Sequence, residues 1–239
     1  MSRVQDPLTS PEPNDPEVIL ETEALLVLNK PANISLLKDR SGAPDLWTAL
    51  TANAKRYLVH RLDKGTSGVL LVAKNQPTQS QLTRAFAERR VRKFYLLRCL
   101  GALPTGETLR IDLPLRKGRK SRYRVAGQRE HIQRTAQGWE LPNGSEGDGK
   151  AATTLVRVID QDASGSWVLA QPLTGRTHQL RVHLSWIGHP IVGDHLYGRP
   201  NDPAQQASRL MLHCHRLVLP ESGARYTATW PTWRQTTFE

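Results

Sequence analysis

The sequence is poor in cysteine and has no long apolar run. Its 239 residues include two cysteines, Cys99 and Cys214, which are too few for a disulfide framework, so we expect reduced thiols and a cytoplasmic location. Apolar runs such as Val69–Ala73 fall far short of the ~20 residues that cross a bilayer, and no secretory signal is visible. We therefore expect neither a membrane protein nor a small secreted domain.

Acidic residues are scarce in one block of the chain. The sequence has 33 Lys and Arg against 22 Asp and Glu, a formal net charge of +11. Between Arg84 and Arg134 fifteen residues are basic and four are acidic, so the whole excess lies there. Such a block is typical of a nucleic-acid contact, although a solvated surface loop has the same composition. The candidate contacts in its densest part are Arg116, Lys117, Arg119, Lys120 and Arg122.

Predicted strands outnumber predicted helices and do not alternate regularly with them. This pattern favours an α+β fold over a doubly wound parallel sheet. Apolar spacing predicts helices over residues 44–56, 77–90 and 177–187. We expect residues 1–16 to be a disordered acidic tail and residues 17–239 to form a single domain.

A single carboxylate stands on a short polar loop between two predicted strands. The segment His60–Gly68, HRLDKGTSG, places Asp63 between the cations Arg61 and Lys64. Flanking cations favour the ionised form that a nucleophile or a base needs. Gly68 allows a positive φ and a close approach by a ligand. An ordinary hairpin turn with a surface ion pair would contain the same residues.

A second polar segment, Leu173–His183, has the sequence LTGRTHQLRVH. Gly175 precedes a predicted helix whose first N–H groups could bind an anion. Arg176 and Arg181 add positive charge to the same segment. An amphipathic helix with basic residues and histidines on its exposed side would show this pattern too.

The two segments resemble the motifs of the RluA-type RNA pseudouridine synthases. The segment at 60–68 is similar to the catalytic signature of that family, and the segment at 173–184, with residues 187–198, to its later motif. Three shorter landmarks follow the family's order, at Val27–Pro31, Lys93–Tyr95 and Arg209–His213. The resemblance implies a mixed, mainly antiparallel central sheet flanked by helices, with a cleft along the sheet. Many relatives carry an additional N-terminal S4 module, for which the 23 residues before the first predicted strand leave no room, so we expect a stand-alone catalytic domain without one.

The resemblance implies an isomerase that breaks the bond between uracil N1 and ribose C1′ and rejoins the base through C5. No cofactor, metal or ATP is expected. Asp63 would be the catalytic carboxylate, attacking the sugar or removing a sugar proton, and Arg181 would pair with it. Tyr95 would stack on the base and assist proton transfer at C5. Arg61 would fill the gap left by the flipped uridine, and Lys64 and Arg176 would be further RNA contacts. The five basic residues named above match no family motif, and we expect them to contact RNA because of their charge, although a surface insertion would have the same composition.

The expected partner is ribosomal or transfer RNA, bound by a monomer. Two other functions stay open. One is a catalytically silent RNA-binding or assembly module on the same fold. The other is a metal-dependent hydrolase, because His213 and His215 share a strand face, although no further ligand follows at metal spacing. Asn33 stands where family members usually have Gly, and because Asn tolerates the left-handed conformation we expect that turn to be kept.

Overall fold

The computed structural model describes residues 15–39, 42–120, 122–142, 144, 146–199 and 207–233. The strands of these residues are β1 (Glu17–Glu21), β2 (Leu25–Lys30), β3 (Tyr57–Leu58), β4 (Ser67–Ala73), β5 (Arg92–Leu100), β6 (Leu109–Asp112), β7 (Leu115–Lys117), β8 (Tyr123–Val125), β9 (Gln133–Thr135), β10 (Gly138–Glu140), β11 (Thr153–Asp162), β12 (Gly165–Pro172), β13 (Leu212–Val218) and β14 (Arg225–Thr227). The helices are α1 (Leu46–Thr51), α2 (Gln76–Ala87) and α3 (Gln179–Trp186), with a 3-10 turn at Arg129–His131. The chain forms two compact units. Unit 1 comprises Met1–Lys93 and Leu212–Glu239, and unit 2 comprises Phe94–Met211.

The sheet of unit 1 is built on β2 and β4, whose side chains are almost all buried. Their near-continuous apolar sequences are those of strands that are covered on both faces. β2 pairs antiparallel with β1 and with β4, and β3 also pairs antiparallel with β4. β13 runs parallel to β4, and β14 is antiparallel to β13. This arrangement places the loop between β3 and β4 beside strands that cannot shift without exposing the core.

Two capped helices complete unit 1. The side chain of Asn75 accepts the N–H of Thr78 at 3.0 Å and so begins α2. The side chain of Asp45 likewise accepts the N–H of Thr48 at 2.9 Å and begins α1. α1 contributes to a core cluster of buried aliphatic side chains, which are Leu26, Leu28, Leu36, Leu46, Leu70 and Val72.

Unit 2 contains a sheet with the strand order β5-β12-β11-β6-β10-β9. The neighbours in this sheet are antiparallel except β6 and β10, which are parallel. β7 and β8 form a separate antiparallel pair in which Leu115 lies opposite Val125. Helix α3 contacts β12 and β8. The second polar segment of the sequence therefore begins directly after β12 and continues into this helix.

The predicted α+β class and the mainly antiparallel, mixed pairing are confirmed. The three predicted helices are present but shorter, and the one predicted for 177–187 begins only at Gln179. Of the predicted tail, residues 1–14 lie outside the described residues, and the single domain over 17–239 stays a prediction. No helix in the described parts of the chain is long and apolar enough to cross a membrane.

Gly68 has the positive φ that the sequence suggested, and the fold itself requires a glycine at this position. Its φ is +110°, and a Cβ there would lie 2.2 Å from the carbonyl oxygen of Cys214. Because that carbonyl belongs to β13, which pairs with β4 at this point, the neighbour cannot give way cheaply. The close backbone approach therefore fixes the strand that leads out of the Asp63 loop.

We expect Gly68→Ala to lower the free energy of unfolding by about 3 kcal/mol, the sum of backbone strain and overlap with Cys214. Gly106→Ala is the matched control, since Gly106 has φ +96° but no atom within 4 Å of the added Cβ. The control should lose only about 1 kcal/mol, from backbone strain. Urea denaturation measures both values. Equal losses in the two variants would contradict the role assigned to the Cys214 carbonyl.

Candidate active site

The loop that carries Asp63 lies in unit 1 between β3 and β4. Val59 and Leu62 are buried and tie the loop to the core, whereas Asp63 is half-buried. The carbonyl of Asp63 accepts the N–H of Thr66 at 3.0 Å, which closes a tight turn. A carboxylate is thus presented at a defined position beside a buried strand.

The ammonium group of Lys30 holds this loop from beneath. Lys30 is fully buried, and its Nζ donates to the carbonyl oxygens of Pro31 (2.7 Å), Ile34 (2.9 Å) and Lys64 (3.3 Å). An ammonium has three N–H donors, and a charge buried without such partners would be costly. The residue next to Asp63 is therefore bonded to the end of β2.

A second contact joins the segment at 31–39 to the same loop. Lys64 Nζ lies 2.9 Å from Asp39 Oδ2, and Ser35 Oγ donates to the same oxygen at 2.6 Å. Asn33 has φ +63°, so the turn that the sequence predicted at this residue is confirmed. Lys64 has a carboxylate partner within the protein, while Arg61, also on the loop, is exposed.

The imidazole of His60, just after β3, accepts a hydrogen bond from the backbone of β4. Its Nε2 accepts the N–H of Leu71 at 2.9 Å, and its ring stacks on Phe86 at 4.5 Å. Burial of the ring, with a smaller effect of the nearby Lys93 charge, lowers the pKa of His60 to about 3. The ring is neutral at physiological pH and carries its proton on Nδ1, so it anchors the start of the loop.

In unit 2 the amide of Gln179 organises the turn before α3. Its Nε2 donates to the carbonyl of Thr153 (2.9 Å) and to Thr154 Oγ1 (3.0 Å). Its Oε1 accepts from Thr174 Oγ1 (2.7 Å) and from the N–H of Arg176 (3.0 Å). Both N–H donors and both lone pairs of the carbonyl oxygen of this buried amide are therefore used in hydrogen bonds. The N–H of Arg176, the residue after Gly175, is bonded inside the protein.

His183 is a buried neutral group on α3. Its Nε2 donates to the carbonyl of Leu113 at 2.9 Å, and its Nδ1 accepts from Thr154 Oγ1 at 3.0 Å. Burial lowers the pKa of His183 to about 4, against smaller opposing effects of Leu113 and Asp112. His183 therefore fixes the rotation of α3 about its axis.

Arg181 has a buried carboxylate partner within unit 2. Its Nε and Nη2 form a fork with Asp194, at 2.8 Å to Oδ2 and 2.7 Å to Oδ1. Asp194 is buried and also accepts the N–H groups of Leu196 and Tyr197, each at 3.0 Å. Two-point pairing of this kind holds a guanidinium in one orientation. The predicted pairing of Arg181 with Asp63 stays a prediction.

The remaining predicted site residues also lie in unit 2. Tyr95 is half-buried on β5, opposite Ala170 of β12. Arg176 is half-buried, and its Nε donates to the carbonyl of Ala151 at 3.0 Å.

The densest basic segment forms a hairpin, which we call the basic hairpin: β7, β8 and the described residues between them. The N–H of Gly118 donates to the carbonyl of Arg122 at 2.7 Å, and Lys120 at the tip has φ +50°. Arg116 is half-buried, while the other four predicted contacts are exposed. Charge pattern alone indicated a basic block, and the hairpin presents it on an ordered element.

The histidines that suggested a metal site do not gather a ligand set among the described residues. No group of three or more His, Cys, Asp or Glu side chains in that part of the chain could hold a metal ion. His213 Nδ1 lies 2.8 Å from Ser67 Oγ, and both groups are buried. Burial lowers the pKa of His215, with a smaller effect of Arg216.

Comparison with known proteins identifies the family. A profile of the RNA pseudouridylate synthases matches residues 24–186, which is more than half of the chain and includes the Asp63 loop. The chain belongs to the RNA pseudouridine synthase family. As an isomerase of this family, the synthase converts uridine in RNA to pseudouridine, as the RluA-type motifs implied.

The named relatives agree with this assignment. The synthase is 36% identical over 220 residues to the dual-specificity RNA pseudouridine synthase RluA of Yersinia pestis, covering 86% of this chain and 94% of that protein. It is 35% identical to ribosomal large subunit pseudouridine synthase C of Vibrio cholerae, over 82% of this chain and 58% of that protein. The structure of human RNA pseudouridylate synthase domain containing 1 is similar with a TM-score of 0.72 and 27% identity, over 93% and 86% of the two chains.

Several residues that hold the predicted site residues in place were not found by sequence analysis. Lys30 was read only as part of a landmark, and a lysine that ends an apolar strand was the available signal. Gln179 and Asp194 belong to the quoted motifs but had no role assigned. Their partners are distant in the chain, so no local pattern marks them.

We expect the synthase to lose stability between pH 7 and pH 5 partly through His60. Unfolded His60 takes up a proton near its ordinary pKa of 6.5, whereas the folded group resists protonation down to about pH 3. Acid therefore favours unfolding, by about 2 kcal/mol at pH 5 for this group. His60→Gln should lower stability at pH 7 but reduce the pH-dependent loss by that amount in urea denaturation.

The control is His131→Gln, which removes an exposed imidazole on the 3-10 turn. Because that side chain is solvated in both states, the variant should keep the pH-dependent loss of the parent protein. An unchanged loss in His60→Gln would show that the ring is not held neutral by the fold.

Proposed function

We propose that this synthase modifies specific uridines in ribosomal or transfer RNA, with Asp63 as its catalytic carboxylate. The main support is the Asp63 loop, which is bonded through Lys64 to the buried ammonium of Lys30. The relatives support the RNA class, since one is named for dual specificity and another for the large ribosomal subunit. Isomerisation needs a carboxylate held at one place near the sugar, and a rigid loop provides it.

The reaction rearranges atoms without consuming any. The bond between N1 and C1′ breaks, the base turns, and a bond forms between C5 and C1′. N1 gains a proton and C5 loses one, so substrate and product are isomers. The Asp63 side chain would either attack C1′ or remove a sugar proton, and both routes begin with the carboxylate near the ribose.

Arg181 would pair with the Asp63 carboxylate when RNA is bound. Its fork with Asp194 already holds the guanidinium in a defined orientation. Tyr95 would stack on the target base and assist the loss of the C5 proton.

Base flipping would bring the target uridine to Asp63. Extrusion costs a few kcal/mol, which phosphate contacts can offset. Arg61 is exposed on the Asp63 loop and would occupy the space that the uridine leaves. Lys64 would exchange Asp39 for a phosphate, and Arg176 would contact the backbone near the second motif. The basic hairpin would supply phosphate contacts through Arg116, Lys117, Arg119, Lys120 and Arg122.

We further propose that the synthase works in the cytoplasm as a monomer. Cys99 and Cys214 are both buried as free thiols. Burial raises the pKa of the Cys99 thiol to about 12, which keeps it protonated and unreactive. Inert buried thiols of this kind fit a reducing compartment.

We expect Asp63→Asn to reduce pseudouridine formation by about 10³-fold or more, because the amide can act neither as nucleophile nor as base. RNA affinity should stay within a few-fold of the parent protein. The substrate is [5-³H]uridine-labelled RNA from a strain lacking this enzyme, and the loss of the C5 proton is followed as tritium release. Equal activity in Asp63→Asn would refute the proposed role.

The matched control is Asp148→Asn, which removes one exposed carboxylate elsewhere. It changes net charge by the same amount, so both variants should bind RNA alike, and this control should keep full activity. If instead the parent protein itself releases no tritium, the silent RNA-binding module is the better function.

The triple variant Lys117→Gln, Arg119→Gln and Arg122→Gln should weaken RNA binding and its dependence on salt. Each lost phosphate contact lowers the slope of log K against log[salt] by about 0.7 to 0.9, so three contacts lower it by about 2. Turnover at saturating RNA should change little. Filter binding or fluorescence anisotropy across a salt series gives the slope.

The control neutralises three exposed basic residues elsewhere, Lys55, Arg157 and Arg225. Both triple variants lose the same net charge. If the basic hairpin contacts RNA, its variant should show a much larger decrease in the salt slope than this control. Equal decreases would show that the charge of the hairpin serves general solubility and not RNA binding.

A further inference from the structure

Tyr197 joins the basic hairpin to the second motif. Its Oη accepts the backbone N–H of Tyr123 on β8 at 2.9 Å and lies 2.8 Å from Nδ1 of His178. A phenol hydroxyl has one donor and two acceptor positions, so it can serve both partners at once. One hydroxyl thus links the hairpin to the residue that precedes α3.

The same tyrosine borders the guanidinium of Arg181. Arg181 Cζ lies 5.1 Å from the centre of the Tyr197 ring, within the range of a cation–π interaction. The N–H of Tyr197 donates to Asp194 Oδ1, the oxygen that also binds Arg181 Nη2. Ring and backbone of Tyr197 therefore both help to hold Arg181.

The hairpin needs such an anchor. A two-stranded hairpin alone is marginally stable in water. Its base is held by hydrogen bonds between Leu115 and Lys150 and by the N–H of Ala126 bonded to the Pro114 carbonyl. Tyr123 lies two residues nearer the tip than Val125, and its N–H bonds to Tyr197. The Tyr197 hydroxyl therefore anchors the half of the hairpin that carries the exposed cations.

His178 adds strain that the cluster must balance. It has φ +56°, a left-handed conformation that is uncommon for a residue other than glycine. Its ring packs edge-to-face against those of Tyr197 and Tyr123, at 5.6 and 5.9 Å. Three aromatic rings and one hydroxyl thus hold the turn before α3 in place.

We propose that Tyr197 is a positioning residue with two separable effects on the reaction. Its hydroxyl sets the orientation of the basic hairpin and so governs RNA affinity, while its ring sets the orientation of Arg181 and so governs turnover. This inference rests on the proposed function, because it assumes that the hairpin binds RNA and that Arg181 acts at the site.

The test compares Tyr197→Phe, which removes only the hydroxyl, with Tyr197→Leu, which also removes the ring. Tyr197→Phe should raise KM for RNA by about five- to ten-fold and flatten the salt slope, with kcat within two-fold of the parent protein. Tyr197→Leu should show the same rise in KM and also lose about ten-fold or more in kcat. The substrate is the tritium-labelled RNA used for Asp63→Asn, and Tyr226→Phe on β14 is the control for loss of a hydroxyl.

An unchanged KM in Tyr197→Phe would overturn the proposal, as would a loss of kcat in that variant or an unchanged kcat in Tyr197→Leu. Amide hydrogen exchange in the parent protein tests the same contact without any substitution, so the result does not depend on whether a variant folds. In the parent protein the Tyr123 N–H should exchange at least about ten-fold more slowly than the N–H of Lys120 at the tip, and equal rates would also overturn the proposal. Absence of tritium release by the parent protein would count against the proposed function and not against this contact.

Discussion

The loop that carries Asp63 is held by the fully buried ammonium group of Lys30, which donates to the carbonyls of Pro31, Ile34 and Lys64. Removing an ammonium ion from water costs several kcal/mol, so this group is tolerated only with all its donors bonded. The three carbonyls are thereby held at fixed distances from one another. His60 fixes the other side of the loop through Leu71 and Phe86. These contacts hold the Asp63 loop in one conformation, which is the preorganisation that the catalytic role proposed for Asp63 requires.

In unit 2 the segment around α3 is held mainly by hydrogen bonds between uncharged side chains and the backbone. Gln179 and His183 are buried with every polar atom of their side chains bonded. Satisfied networks of this kind specify one arrangement, because any other would leave a polar group unpaired in the interior. The charged pair of Arg181 and Asp194 is built on this frame. Tyr197 then extends the frame to the basic hairpin through its bond to the N–H of Tyr123, and the positioning role proposed for Tyr197 rests on that contact.

Much of the fold was predictable because apolar runs and their spacing are local properties. The buried strands β2 and β4 follow from such runs, and so does the α+β class. The helix predicted to begin at 177 starts later, because His178 is left-handed and Gln179 binds the N–H of Arg176. The basic hairpin was visible only as charge. Its strands of three residues are too short for a period to appear, and they are ordered by contacts with Lys150 and Tyr197.

The sequence by itself determined the family and the segments in which the motif residues and the excess positive charge lie, because the motifs around Asp63 and Arg181 are contiguous and keep their order. Only the tertiary structure decided which partners hold those residues. Lys30 bonds to a carbonyl 34 positions later, and Gly68 is required by the backbone of Cys214. The physical reason is that hydrogen bonds and close backbone approaches depend on distances in space. Residues far apart in the chain leave no trace of those distances in composition or periodicity.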